Sequence, residues 1–370
     1  MAREYQICSR CIMDTTDEEI QFDEQGVCNY CRTFDTQGRP VLERSHSEHG
    51  KKMLSDTIGK IKATGRDRDY DCIVGLSGGV DSSFVAYKVK ELGLRPLAVH
   101  FDSGWNSEIS VKNIESIVKV LNIDLYTFVA DWEEMRDLQL SFFKASVPDC
   151  DIPQDHGYLA ALYRVAAQQN IHYIISGANI ATEFVLPTSW GYSPKDLRHI
   201  KAIHRRFGNK KIRNYPTLGY FKHFVYYPYI KKIQVVRLLD YMPYSKREGK
   251  KLIQEKLNWQ DYGGKHHESV FTSFFQAYYL PTKFGIDKRR AHLSSLIVSG
   301  ELNRNQALEE MNQLPYEENR IQERKEYVAK KLGLTAADYD AILALPVRKH
   351  TDYPNTEWLH RIKRKFIPFI

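Results

Sequence analysis

The stretch Tyr70–Ser83, YDCIVGLSGGVDSS, constrains this chain more than any other. A largely apolar run with β-branched Ile73 and Val74 leads into Ser77-Gly78-Gly79-Val80-Asp81-Ser82-Ser83. Phe84, Val85, Tyr87, Val89 and Leu92 then recur at roughly helical spacing. The pattern reads as strand, glycine turn, helix. Such a turn aims unsatisfied backbone N–H groups at one point, where the helix dipole adds positive potential. Ser77, Ser82 and Ser83 add hydroxyls, and Gly78 and Gly79 let an oxyanion approach the main chain with no Cβ in the way. The stretch is therefore expected to cradle a polyphosphate. No Lys closes the turn as in GxxxxGK[ST], and the pattern is not GxGxxG.

The rest of the 370-residue chain is read around that cradle. Its length suits one large domain with an appendage, or two domains. No apolar run approaches the ~18 residues of a membrane span. The polar N-terminus lacks a signal-peptide core, so a cytoplasmic location is expected. A net charge of +7, from 53 basic and 46 acidic side chains, suits nucleotides or other anionic substrates. Nucleic acid is tolerated by that balance but is not expected as a partner.

Four of the six cysteines lie in the first 35 residues, as Cys8-x-x-Cys11 and Cys28-x-x-Cys31. Two such turns can bring four thiolates into a tetrahedron, and Zn²⁺ is the expected ion. With four protein ligands the site would be closed, hence structural. Asp23–Gly26 between the pairs reads as a hairpin turn. The polar stretch 41–68 reads as a connector with a weak amphipathic helix around 51–63.

Candidate strands are 70–76, 95–101, 125–129 and 172–176; candidate helices are 80–92, 108–121, 133–145 and 155–169. The alternation predicts an α/β fold, a parallel sheet with helices on both faces. Ligands of such sheets sit at the carboxyl ends of the strands. One such end is Ser176-Gly177-Ala178-Asn179, where Gly177 offers N–H donors and Asn179 a nucleotide-reading side chain. Glu183 and Asp81 are the carboxylates expected to hold Mg²⁺ on the phosphates. At a second end Phe101 reads either as core or as a nucleotide contact, and Asp102 as a turn cap or a contact. Asp131 reads as a helix cap, as does Asp155. Cys150 and His156, in the proline-bearing loop before the fourth strand, are weaker site candidates, and Cys72 reads as core. Beyond Val185 the alternation stops. A basic, histidine-bearing region follows, either a solvated face or an anion site, and then amphipathic helices that suit a cap or a homo-oligomer surface. The expected divisions are 1–50, a four-cysteine zinc-binding module and connector; 51–185, the nucleotide domain; and 186–370, a substrate-binding and helical region.

SGGVDSS resembles the signature of the PP-loop ATP pyrophosphatases, of the adenine nucleotide alpha hydrolase-like fold. More of the chain is similar to one family, the N-acetyl sugar amidotransferases of bacterial surface-polysaccharide biosynthesis. The motifs are the opening CxRCIMDTTD with FDxxGVCNYC, then HFDSGWN, PQDH, SGANIATEF, LPTSWGY, GGKHHES and KFGIDKRRAHLSSLI. The resemblance implies ATP cleavage between the α- and β-phosphates and conversion of a sugar acetamido group to acetamidino, for O-antigen lipopolysaccharide or a related glycan. It places Ser77, Gly78, Gly79, Asp81, Ser82 and Ser83 on the phosphates and Phe101, Asp102, Gly177 and Asn179 on adenosine. Lys265 with Arg289 or Arg290 would neutralise pyrophosphate or the charged sugar. The substrate would be a nucleotide-linked or sialic-acid-like N-acetyl sugar. No glutaminase domain is legible, so ammonia is expected from a separate class I glutaminase, with a cyclase-like barrel protein as relay. A PP-loop tRNA-modifying enzyme is the alternative, with Cys150 as the candidate reactive thiol.

Overall fold

The computed structural model describes residues 4–264, 268–316 and 318–358. Its centre is a five-stranded, all-parallel sheet: β1 Cys72–Gly75, β2 Pro96–Asp102, β3 Asp124–Val129, β4 Tyr173–Ser176 and β5 Gln234–Arg237, in spatial order β3-β2-β1-β4-β5. The first four match the expected strands to within two residues at most ends. β5 lies beyond Val185, so the strand–helix alternation does not stop there as the sequence pattern suggests. It is a four-residue edge strand with only Val236 buried, too short and too exposed to leave a periodic trace.

The period of two sends side chains to both faces. Ile73, Leu97, Val99 and Ile174 pack under the helix Ile152–Gln168 with Leu162 and Val165. Cys72, Val74, Ala98 and Ile175 face the other way, against Val85 and Val89 of helix Val80–Glu91 and Ile114 and Ile117 of helix Glu108–Leu121. Each fully buried aliphatic side chain contributes about 1.5–3 kcal/mol of transfer free energy, so the two faces together fix strand register.

Helix starts follow local chemistry. Ser107 caps Glu108–Leu121 through the Ser110 amide, and Asp131 caps Trp132–Ala145 through the Glu134 amide, as expected. The last of the four expected helices begins earlier than 155. Pro153 sits in its first turn, Asp151 holds the N-cap position, and Asp155 lies inside the helix, not at its cap. The connector carries a longer helix than expected, Glu48–Gly65, capped by Ser47.

The four-cysteine module does not float. The Arg304 guanidinium donates to the carbonyls of Cys11 and Cys8, 3.0 Å each, and Arg290 donates to the Ile12 carbonyl at 2.7 Å. Phe34 meets Phe184 edge to face. The module is thereby fastened to the C-terminal helices and to the segment after β4. Among the described residues no helix is long and apolar enough to cross a membrane.

Candidate active site

The strand order reverses direction between β1 and β4, so the loops after those two strands form the switch-point crevice where doubly wound sheets hold ligands. Both loops are the ones singled out from the sequence. Gly78 has φ +79°, in the left-handed region, and a Cβ there would lie 2.7 Å from the Ser110 carbonyl oxygen. Glycine is required on both counts. Gly79 is the N-cap of helix Val80–Glu91 with no side-chain cap, so the helix's first amides remain aimed at the crevice. The Ser77 and Ser82 hydroxyls lie 3.1 Å apart at the mouth of the turn. Ser83 differs. It is buried, and its hydroxyl donates to the Gly79 carbonyl at 2.6 Å, so it braces the turn from behind.

The β4 loop closes on the same point. A Cβ on Gly177 would lie 3.2 Å from the carbonyl carbon of Asp81, so a glycine permits this approach. Asn179 is buried, caps the short helix Ile180–Glu183 through the Thr182 amide, and turns its amide towards Asp81 Oδ1 at 3.5 Å. Asp81 also accepts from the buried Tyr244 hydroxyl, and Lys246 Nζ stands 3.9 Å from its other oxygen. Burial first, then Asp81, drives the Tyr244 hydroxyl's pKa up, so it stays a donor. Glu183 is exposed at the end of its helix and also acts on Tyr244. Tyr244 and Lys246 carry no motif and were not anticipated.

A third strand-like segment lies over the cradle. Glu268 accepts at its carbonyl from the Ser107 amide, and Val270 donates to the Trp105 carbonyl. From the position of a Cβ on Gly79, Glu268 Oε1 is 3.5 Å away and the Tyr262 hydroxyl 3.4 Å. The Val80 amide bonds to that hydroxyl. Trp259 Nε1 donates to the Gly78 carbonyl at 2.9 Å. A carboxylate and a phenol therefore occupy the place prepared for an anion. Lys265, with His266 and His267, lies outside the described residues.

At the end of β2 the core reading prevails. Phe101 is buried against Phe128 and lies where a side chain on Gly157 would clash. Asp102 accepts from the Gly104 amide at 2.8 Å and from Asn106 at 3.0 Å, which makes it a turn cap. It also lines a cavity of about 240 Å³ with Trp132 and Lys331. Asp149 and Asp151 are buried next to Asp155 at the start of helix Ile152–Gln168. Burial, opposed by a Thr272 hydrogen bond, pushes Asp151 up to about 6. Lys288 Nζ stands 4.0 Å from Asp149.

Several candidates are structural instead. Arg289 closes on Asp287 and on the carbonyls of Glu310 and Gln313. Arg290 pairs with Asp14 at 3.1 Å. Both guanidinium groups are engaged by these partners, and Lys288, one residue earlier, is the cation of this run that faces the buried carboxylates at the start of helix Ile152–Gln168. His156 is fully buried with both ring nitrogens engaged: one meets the Pro194 carbonyl, the other accepts from the Leu218 amide at 3.0 Å. Cys150 is fully buried, and burial drives its thiol pKa well up. Neither is placed for chemistry.

The four N-terminal cysteines are buried with their sulfurs within 4.8 Å of one another. Cys8–Cys31 and Cys11–Cys28 sulfur separations are 3.8 and 3.6 Å. A tetrahedron of thiolates about 2.3 Å from Zn²⁺ has edges of about 3.8 Å. Amides of Arg10, Cys11 and Cys28 also point at the Cys8 sulfur at 3.3–3.4 Å, favouring its thiolate. The donor set fits a closed metal site.

Residues 268–365 match the family model described as LPS biosynthesis protein WbpG-like, C-terminal domain. A 71-residue stretch is 37% identical to tRNA(Ile)-lysidine synthase of Chlamydia pneumoniae, covering 18% of this chain and 22% of that protein. The chain thus spans about a fifth of the curated relative it matches. Among solved structures, U34-tRNA thiolase NcsA from Methanococcus maripaludis is similar over 73% of this chain and 84% of its own, at 16% identity and TM-score 0.34. NMN synthetase from Francisella tularensis gives 59%, 95%, 17% and 0.30. NH3-dependent NAD synthetase from Campylobacter jejuni gives 36%, 59%, 18% and 0.28. The family match takes in the KFGIDKRRAHLSSLI segment and bears out the resemblance that segment carried. The fold is the parallel, doubly wound one expected of a PP-loop chain.

Proposed function

We propose that this PP-loop chain is an ATP-dependent amidotransferase converting a sugar acetamido group to acetamidino for a surface glycan. One observation carries the reading: a glycine turn and a helix N-terminus with no side-chain cap at the sheet's switch point, on a chain whose residues 268–365 match an LPS-biosynthesis family. An amide oxygen is a poor leaving group. Attack of that oxygen on the α-phosphorus of ATP forms an O–P bond and releases pyrophosphate. Ammonia then adds to the activated carbon, the C–O bond breaks, and the oxygen departs on AMP. Acetamide, ammonia and ATP thus become acetamidine, AMP and pyrophosphate.

In this scheme the amides at Gly79–Ser82 and the Ser77 and Ser82 hydroxyls bind phosphate. Gly177 and Asn179 border the nucleotide, and Tyr244 and Asn179 orient the Asp81 carboxylate. Asp81 and Glu183 would hold Mg²⁺, whose charge neutralises the leaving pyrophosphate. Cys8, Cys11, Cys28 and Cys31 would hold Zn²⁺ with no open position, so it would stabilise the module without taking part in the reaction.

None of the six cysteines is an exposed nucleophile: four form the cluster, and Cys72 and Cys150 are buried. In this reading ammonia therefore comes from a separate class I glutaminase, relayed by a cyclase-like barrel protein. A PP-loop tRNA-modifying enzyme is the second reading; the burial of Cys150 tells against that residue as its reactive thiol. The test is incubation with ATP, ammonium and acetamido sugars carrying oxygen-18 in the acetamido group. AMP bearing the label, and a sugar lighter by the difference between oxygen-18 and NH, are expected. ADP with orthophosphate, or unlabelled AMP, refutes the scheme.

A further inference from the structure

Residues 197–239 contain eleven Lys and Arg side chains and no Asp or Glu. The chain's net charge is +7, so with these eleven set aside the rest of it sums to −4. Of the eleven, only Lys210, with Glu133, and Arg237, with Asp240, meet a carboxylate among the described residues. The excess is therefore a field at the surface and not a set of internal ion pairs.

Apolar side chains stand out in the middle of this field. Helix Lys222–Ile230 is of the π form, with i→i+5 bonds. Its inner face is His223 and Tyr227, which pack on Tyr163 of helix Ile152–Gln168. Positions 221, 225, 229 and 230 fall on the opposite face. There Phe221, Tyr229 and Ile230 are 63%, 71% and 60% exposed, and Val225 is exposed with them. Val235 of the edge strand β5 is exposed as well. Single exposed apolar residues are ordinary, but a stripe of this size on one helix marks a contact surface.

Cations flank the stripe at both ends. Lys231 and Lys232 follow Ile230, and Lys222 lies beside Phe221. Arg198, Lys201 and Arg205, on the exposed side of helix Leu197–Phe207, line a cavity of about 520 Å³. Its wall includes Gly219 and Tyr220, immediately before Phe221. This combination selects among anionic partners. Single-stranded nucleic acid is held by stacking on aromatic rings, and Val225, Ile230 and Val235 offer no ring. A second copy of the chain would set eleven cations against eleven. An anionic lipid surface uses both features: its phosphates meet the lysines and arginines, and its acyl boundary covers the apolar stripe. A tyrosine such as Tyr229 suits the level between the two.

We propose that the outer face of helix Lys222–Ile230, with the cations that flank it, docks the protein on an anionic phospholipid membrane. The chain would lie on that surface without spanning it. The docking face stands on charge and exposure alone and is independent of the proposed reaction. The test is co-sedimentation of the full chain with vesicles of equal parts phosphatidylcholine and phosphatidylglycerol, against vesicles of phosphatidylcholine alone. The anionic vesicles should carry the protein down, the others should not, and high salt should release it. Lys222→Gln/Lys231→Gln/Lys232→Gln should weaken binding about 100-fold, at about fivefold for each cation near the surface. Phe221→Ser/Val225→Ser/Ile230→Ser keeps every charge and should weaken it by about tenfold or more. Both variants replace exposed side chains, so Tm and the affinity for a non-hydrolysable ATP analogue should match wild type. No sedimentation with anionic vesicles, equal sedimentation with both kinds, or unchanged binding by the serine variant overturns the membrane surface. So does a short single-stranded RNA that wild type and serine variant bind equally and that displaces the protein from the vesicles, which would make this a nucleic-acid face.

Discussion

Glu268→Gln is expected to tighten ATP binding. The wild-type carboxylate lies over Gly79, where the triphosphate must enter, and the Tyr262 hydroxyl takes the Val80 amide. ATP can seat only by displacing both. A carboxylate about 5 Å from one phosphate charge repels it by about 3 kcal/mol at an effective dielectric of 20. The segment's freedom to swing away and solvent screening reduce that, so a gain near 1.4 kcal/mol, about tenfold in Kd, is expected. Tyr262→Phe removes a hydroxyl without changing charge and should give a smaller gain. Trp259 is a built-in reporter, because its indole holds the Gly78 carbonyl. Its fluorescence, followed on titration with ATP and Mg²⁺, reads the Kd directly. Unchanged or weaker ATP binding by Glu268→Gln would show that the carboxylate supports the nucleotide and does not stand in for it.

Asp81→Asn should abolish AMP release with Tm within a few degrees of wild type, since the Tyr244 and Asn179 contacts survive the isosteric change; turnover at the wild-type rate would remove the cradle from the chemistry. Arg304→Ala removes two charge-assisted bonds to the Cys8 and Cys11 carbonyls. A loss of about 1–3 kcal/mol is expected, together with faster release of bound metal to a chelator, read by a chromogenic dye. The pH dependence of stability has a predictable sign at His156. Burial holds its imidazole at about 4, against 6.5 for an unperturbed ring. The unfolded chain takes up the proton first, so stability is full above about pH 6.5 and falls as pH drops towards 4. The loss approaches about 3 kcal/mol. Tm measured across that window should fall, and His156→Gln should flatten the part of the slope this ring supplies.

What was legible in the sequence was whatever is local. The cradle, its strand and its helix are contiguous, so seven residues and two periodicities suffice to read them. The two CxxC pairs are local in the same sense. β5 was missed because a half-exposed edge strand has neither alternation nor a glycine turn after it. The aromatic stretch before it folds in part as a π-helix, Lys222–Ile230, a form that leaves no period to read. Arg289 and Arg290 misled for a different reason. A basic run beside a phosphate site suggests anion binding, but the partners that capture Arg290 lie near residues 12–14, and Arg289 is held by its neighbour Asp287 together with the carbonyls of Glu310 and Gln313. Tyr244 and Lys246 converge on Asp81 from more than 160 positions away. Convergence of that kind is a property of the fold and has no trace in spacing.

The division of labour follows from the same geometry. In the proposed reaction the loop after β1 would supply the phosphate-binding amides, but the groups packed around it come from later in the chain. Trp259 fixes the Gly78 carbonyl, Tyr244 fixes Asp81, and Tyr262 with Glu268 covers the helix terminus. Helix Lys288–Ser299, within the segment that matches the LPS-biosynthesis family, sends Lys288 to the buried carboxylates on one side and Arg290 to the four-cysteine module on the other. A displacement of that helix would therefore be felt both at the cleft and at the module. A metal held by the four cysteines would matter to the proposed reaction in this way: by holding the module rigid, it would hold the surface against which helix Lys288–Ser299 is braced. Loss of the metal would then raise KM for the acceptor more than it lowers the affinity for ATP, because the cradle's own amides are fixed by the sheet.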